Sequence, residues 1–269
     1  MKKAFGLFLL VGIFISVLLY ANINCEAILV IEPALVKTEL TQGRATGAFV
    51  IKNTGDEEER YRAKAVHFVV TKEGALKEVP LDEYSLAGWI KFNPKEFVLP
   101  PKTSRMVRFS VIPQGKVATR EYWGAIEFMP LKGSNVKAED GKGHIFNLQV
   151  LSVILVPIYG FVDGTLYSGR IDDISIKKLK DKTYLYCGVT NTGDGILRLK
   201  GSCQILDSSG TVVEEIGLKH IIAFTKKERL VKSEIKTPLK PGTYRARVNL
   251  ASQDSHSKVT LVEEANFYL

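Results

Sequence analysis

From Phe92 to Pro130 the chain reads FNPKEFVLPPKTSRMVRFSVIPQGKVATREYWGAIEFMP, and this stretch limits the choice of fold more than any other. β-Branched and aromatic residues gather in two runs, Arg105 to Val111 and Tyr122 to Phe128, set between prolines and glycines that punctuate strands. No helix fits that pattern. The same texture continues on both sides: Ala27 to Glu39 is extended, Ala48 to Lys52 alternates, and Arg62 to Thr71 follows an acidic loop. Beyond the first 27 residues no apolar 3.6-residue period occurs. Short strands at close spacing with turn residues between them predict an all-β chain of immunoglobulin-like β-sandwiches.

The chain also repeats itself. Ile51-Lys52-Asn53-Thr54-Gly55-Asp56 returns as Val189-Thr190-Asn191-Thr192-Gly193-Asp194, at an offset of 138 residues. Arg105-Met106-Val107-Arg108 has a counterpart in Arg229-Leu230-Val231-Lys232, and Tyr122 to Ile126 in Tyr244 to Val248. Three matches in one order predict two domains of similar design. Asn-Thr-Gly-Asp suits a strand-to-strand corner, because it offers a residue tolerant of positive φ and side chains that close turns. Pro241-Gly242-Thr243-Tyr244, and less clearly Glu121-Tyr122, read as tyrosine corners, with an ordinary core tyrosine as the other reading. The expected domains are 28–160 and 165–269, joined by a short glycine-containing junction near Gly160 to Gly169 and set at an angle with a cleft between them.

Residues 1–27 read as a cleaved signal peptide: Lys2-Lys3 precede an almost continuously apolar run from Leu7 to Tyr20, with small residues after it. A retained anchor is the alternative. Either way the rest of the chain leaves the cytoplasm and meets the membrane only through this leader. The net charge of +8 falls to +7 when Lys2, Lys3 and Glu26 are removed, leaving 35 basic and 28 acidic residues. That excess is spread along the chain without a block of like charges, which describes a solvated surface and gives no footing for nucleic acid.

Export opens two readings of Cys187 and Cys203. They form a disulfide whose 16-residue separation is worth about 3 kcal/mol in loop entropy, or they are two small buried apolar residues on neighbouring strands. Little else in the chain carries chemistry. His67, His144, His220 and His256 are scattered without metal-ligand spacing, no Gly-x-Ser-x-Gly elbow or phosphate loop occurs, and Asp172-Asp173 reads as a turn. The expectation is a protein that is not an enzyme and uses no cofactor or metal.

What remains is Ile145 to Tyr159, IFNLQVLSVILVPIY, read as the last strand of the first domain. Alternation puts Phe146, Leu148, Val150, Ile154 and Val156 on one face, broken by Ser152. That face either packs into the domain's own core or is kept for a partner. Leu99-Pro100-Pro101, the run Ser104 to Arg108, and Arg120-Glu121 ahead of an aromatic-rich strand ending in Pro130 resemble the N-terminal domain of PapD-like periplasmic pilus chaperones. The resemblance covers about residues 28 to 160, and the second half of the chain carries little of it.

The resemblance implies a monomeric, ATP-independent periplasmic chaperone that binds a pilus or coat subunit by lending it this strand, then delivers it to an outer-membrane usher. Phe146, Leu148, Val150 and Ile154 would bind the subunit, and Lys37 would grip its terminal carboxylate. The loop from Leu131 to His144 would let the strand lengthen on client arrival. One feature departs from the pattern. These chaperones add a basic residue on the last strand, and no Lys or Arg lies from Ile145 to Gly169. Arg108 and Arg120 read as structural. The alternative is a structural or adhesive surface protein built of the same two sandwiches.

Overall fold

The computed structural model describes residues 29–41, 43–139 and 144–269, so the expected signal peptide lies outside the described residues. Within them every regular element is a strand. The first part contains β1 (Leu29–Glu32), β2 (Val36–Glu39), β3 (Ala45–Asn53), β4 (Glu59–Val70), β5 (Leu76–Val79), β6 (Ile90–Asn93) and β7 (Glu96–Leu99). It continues with β8 (Ser104–Val111), β9 (Tyr122–Pro130), β10 (Ser134–Glu139), β11 (Ile145–Val150) and β12 (Ile154–Phe161). The second part contains β13 (Gly169–Leu179), β14 (Lys182–Asn191), β15 (Leu197–Leu206), β16 (Val212–Ala223), β17 (Glu228–Ile235), β18 (Thr243–Ser252) and β19 (Thr260–Tyr268).

Each part closes as two sheets face to face. In the first, β1-β3-β8-β6 faces a sheet ordered β2-β12-β9-β4-β5, with β7 also paired to β4. The period-2 pattern explains the packing: Phe49, Ile51, Val107 and Phe109 point inward from one sheet to meet Ala63, Ile126, Phe128, Val156 and Ile158 from the other. Phe49 stacks on Phe109 at 4.9 Å and meets Phe128 edge-on at 6.3 Å. The second sandwich packs β13-β14-β17 on β16-β15-β18-β19. Its strand orders repeat those of the first, β13-β14-β17 standing for β1-β3-β8 and β19-β18-β15-β16 for β12-β9-β4-β7. Two tandem immunoglobulin-like sandwiches are therefore present.

The repeated hexapeptide does the same job twice. Asn53 is fully buried, and its amide donates to the carbonyls of Glu57 at 2.7 Å and Leu99 at 3.0 Å while its side-chain oxygen accepts from Gly55 N–H. Asn191 donates to Gly195 and Ala223, both at 2.8 Å, and accepts from Gly193 N–H. The neighbouring turn repeats too. Lys102 and Lys226 both adopt φ of 57°, cap the carbonyls of Thr54 and Thr192, and pair with Asp56 and Asp194. Register agrees with the sequence match, since Ile51 faces Arg105 as Val189 faces Arg229. The reason for the glycine differs from the expected one. Gly193 does not need positive φ; a Cβ there would lie 2.5 Å from the Leu166 carbonyl oxygen, so close backbone approach selects it. Both tyrosine corners form: Tyr244 Oη donates to Lys240 O at 2.9 Å, and Tyr122 Oη accepts from Ala118 N–H at 3.0 Å.

Other expectations need correcting. The supposed turn at Asp172-Asp173 is a β-bulge within β13, with Asp172 paired to Arg170. Gly160 lies inside β12, against Leu40, so between the last strand of the first part and the first of the second run residues 162–168. The loop expected from Leu131 to His144 contains β10. Cys187 and Cys203 are free thiols. They point inward from β14 and β15, in opposite sheets, and pack as small apolar groups in the second core, where burial pushes each thiol up to about 12. The bridge is not formed.

Because each corner asparagine holds two carbonyls beside its own backbone turn, truncation strands both of them. Asn191→Ala is expected to cost about 3 kcal/mol, Asn53→Ala a similar amount, and the pair to add within about 0.5 kcal/mol, as read by urea denaturation.

Candidate functional site

Two places draw the predicted residues together. The first is the segment leading into β12. What sequence reading treated as one strand is two, divided at Leu151 to Val153. β11 pairs only with β10, in an antiparallel hairpin that aligns Leu148 with Val136 and Phe146 with Ala138. Among the described residues no strand pairs with its other edge. β12 then enters the sheet, antiparallel to β9 through Ile154 to Gly160 and parallel to β2 only from Ile158 to Phe161. Among the described residues, one backbone edge from Ile145 to Pro157 therefore has no strand beside it.

The apolar side chains divide at the same break. Ile145, Phe146, Leu148, Val150, Leu151 and Val153 are all exposed, Ile145 at 70% and Phe146 at 48%. Ile154 is half-buried against the first core and Val156 lies within it. The expected common face is thus wrong for its last two members. Once the chain is held between β9 and β2, alternate residues turn into the sandwich, whereas in the hairpin no second sheet covers them. A run of exposed apolar side chains beside an unpaired strand edge is a surface that natural proteins usually blunt with charge. Here Ile145 to Gly169 contains no Lys or Arg to do so.

The second place is the seam between the sandwiches. The outer face of the β2-β12-β9-β4-β5 sheet presents Val66, Phe68, Trp123, Tyr159 and Phe161, against which Ile196 and Phe224 of the second sandwich dock. The Phe224 ring meets Trp123 edge-on at 4.9 Å. At the β2 side the seam becomes ionic. Arg198 donates to Glu121 at 2.6 Å and to Asp254 at 3.1 Å, with its guanidinium 4.4 Å from the centre of the Tyr159 ring. Glu121 is fully buried and also accepts from Ile196 N–H at 2.8 Å. Lys37 completes the cluster. Its ammonium pairs with Asp254 and lies 6.0 Å from the centre of the Phe161 ring, so the one predicted carboxylate-gripping cation already has an internal carboxylate.

Burial tends to raise the Asp254 carboxyl, but the hydrogen bond from Lys37 and the Arg198 charge outweigh it and hold the group below its ordinary range. For Glu121 burial prevails, and its carboxyl is raised despite Arg198.

In solved structures this chain is similar to fimbrial chaperones. It matches the class 5 fimbriae chaperone CfaA at a TM-score of 0.48 and 13% identity, over 88% of this chain and 98% of that one. It matches the CsuC–CsuE chaperone–tip adhesion subunit pre-assembly complex of Acinetobacter baumannii at 0.46 and 12%, over 88% and 98%. The E. coli chaperone DraB gives 0.41 and 12%, over 87% and 95%. No protein-family model and no curated protein matches the sequence.

The sequence did not single out Arg198 or Asp254, and Glu121 stood out only as part of the tyrosine-corner and Arg120-Glu121 motifs. The available signal was slight: Glu121 sits directly before Tyr122-Trp123, and Arg198 lies between two core leucines at a position that alternation sends outward. Arg120, read as structural, pairs with Glu83 and stacks over Tyr84.

Removing Arg198 would strip the buried Glu121 carboxyl of its cation and raise it further, so that keeping it buried costs either a proton or an uncompensated charge. Arg198→Met is expected to cost about 3 to 5 kcal/mol, and Arg198→Met with Glu121→Gln to cost clearly less, as measured by urea unfolding. The acid limb gives a separate check. Because the Asp254 carboxyl is depressed in the fold, its stabilisation is complete above its ordinary value of 3.8 and is lost as pH falls through the folded value. Asp254→Asn should therefore flatten the decline in melting temperature below about pH 4.

Proposed function

We propose that this protein is an ATP-independent periplasmic chaperone that holds a pilus or coat subunit by strand donation and passes it to an outer-membrane usher. Residues 1–27 direct export and are removed, 28–160 form the client-binding domain, and 165–269 form the second domain. The observation that carries the reading is the unpaired edge of β11, bordered by exposed Phe146, Leu148 and Val150. A subunit lacking one strand needs backbone partners along an edge and apolar side chains to fill its open core, and this segment offers both. The sequence resemblance of the first domain to PapD-like chaperones supports the same role.

The magnitudes are compatible with handover. Each Leu, Val, Ile or Phe transferred from water into a client core contributes about 1.5 to 3 kcal/mol, so four or five side chains supply about 6 to 15 kcal/mol. Docking costs an estimated 4 to 15 kcal/mol, leaving an affinity that retains a client without trapping it. Ile154 belongs to the first domain's own core in this reading, and Ile145, Leu151 and Val153 join the client-binding set instead. Lys37 contributes to client register only by exchanging Asp254 for a client carboxylate.

Replacing Leu148 and Val150 together by Asp tests the assignment. Both side chains are exposed, so stability is expected to stay within about 0.5 kcal/mol of the parent. The tagged parent should retain one small subunit on pull-down from periplasmic extract, and the variant should lose it. Unfolding of the variant, or retention of the same subunit, overturns the reading. Fibres formed by the purified chain alone would identify a structural or adhesive protein instead.

A further inference from the structure

We propose that the loop of residues 253–259 in the second sandwich is a built-in competitor for a bound client, its Asp254 carboxylate occupying the place of the client strand's terminal carboxylate. The inference rests on the strand-donation reading and adds to it a regulator and a second cation, Arg198.

The open edge itself says where a bound strand must stop. Among the described residues β2 covers β12 only from the pair Val36 and Ile158 onward, so a strand laid beside residues 145–157 meets β2 and can go no further in the sheet. A strand parallel to β12, as β2 is, arrives there with its C-terminus. Lys37 stands next on β2, paired with Tyr159, two positions or about 7 Å beyond Pro157.

The group already at that point is an internal carboxylate. Asp254 accepts from the Lys37 ammonium through Oδ1 and from Arg198 Nη1 through Oδ2 at 3.1 Å, and its side chain is only 6% exposed. Two cations from different sandwiches thus converge on one buried carboxylate, and a second carboxylate at the same place would satisfy the same donors.

The loop is fastened in a way that lets it leave. To its own sandwich it is tied by backbone, with Gln253 N–H donating to Arg198 O at 2.8 Å and Ser252 N–H to Val259 O at 2.9 Å. The polar and ring contacts it makes with the first sandwich among the described residues come from side chains alone: Asp254 with Lys37, the His256 ring stacked on Phe161 at 4.1 Å, and His256 Nε2 at 3.5 Å from Glu39. The seam is held by other groups. Arg198 Nη2 stays on Glu121, Glu121 N–H donates to Asp194 O at 3.1 Å, and Phe224 stays against Trp123. Withdrawal of Asp254 therefore frees Lys37 and one side of Arg198 without parting the sandwiches. A tethered group competes at about millimolar effective concentration, so the loop weakens a client without excluding it.

Two heptapeptides, Lys-Thr-Val-Thr-Val-Thr-Val with a free carboxylate or a carboxamide at the C-terminus, would be titrated into the mature full-length protein. Amide hydrogen exchange reads the edge at residues 145–157 and the loop at 253–259. Both peptides are expected to protect the edge, and only the carboxylate form to expose the loop. Asp254→Asn should bind the carboxylate peptide about tenfold more tightly and the amide peptide as the parent does, because the internal competitor is gone. Asp254→Ala should behave alike, and Lys37→Met should bind both peptides equally. If both peptides protect the edge but the carboxylate form binds the parent and the Asp254 variants with one affinity, the inference falls and strand donation stands. If neither peptide protects the edge, both fall.

Discussion

A strand's edge is a row of donors and acceptors that must find partners in protein or in water, and much of this molecule's organisation follows from where that row is left open. In the first sandwich β2 crosses over to cover β12, but only from Ile158 onward. Upstream the chain leaves the sheet, pairs among the described residues with β10 alone, and turns its apolar side chains outward. The same alternation that builds the core between Val156 and Ile158 supplies the exposed row at Phe146, Leu148 and Val150. The difference is the presence or absence of a second layer.

The open edge needs a stable frame, and the seam supplies one. Aromatic packing of Phe224 on Trp123 would by itself permit sliding, because apolar contact has little directional preference. The Arg198–Glu121 pair removes that freedom. Two charges withdrawn from water tolerate little displacement, since each angström of separation gives up attraction without restoring hydration. Asp254 and Lys37 extend the ionic cluster to the surface, so the deepest and the most exposed parts of the seam are coupled through one carboxylate.

The all-β class, the duplication and several first-domain strands, β3, β4, β8 and β9 among them, could be read from the residues because they depend on local period and turn chemistry. Asn53 and Asn191 announced themselves by repetition, although half of their function, holding the distant carbonyls of Leu99 in β7 and Ala223 in β16, is not local and was legible only as a turn signal. The division of Ile145 to Tyr159 was not legible. Both halves alternate, and nothing in their composition says that one acquires a covering sheet and the other does not. Arg198 illustrates the general limit: outward alternation predicts solvent, and only the docking of a second domain turns that surface into an interior.

The duplicated corner has a consequence for assembly. Hydrogen bonding equates Leu99-Pro100 of the first sandwich with Ala223-Phe224 of the second, since Asn53 and Asn191 bind the first residue of each pair and Thr103 and Lys227 donate back to the second. Where the second copy places a phenylalanine that plugs into its neighbour, the first has a proline. The joint therefore has a direction: it joins the corner of one sandwich to the flank of the sandwich before it, as a head-to-tail contact does. With proline at its own corner, the first sandwich lacks the aromatic plug by which the second grips its neighbour.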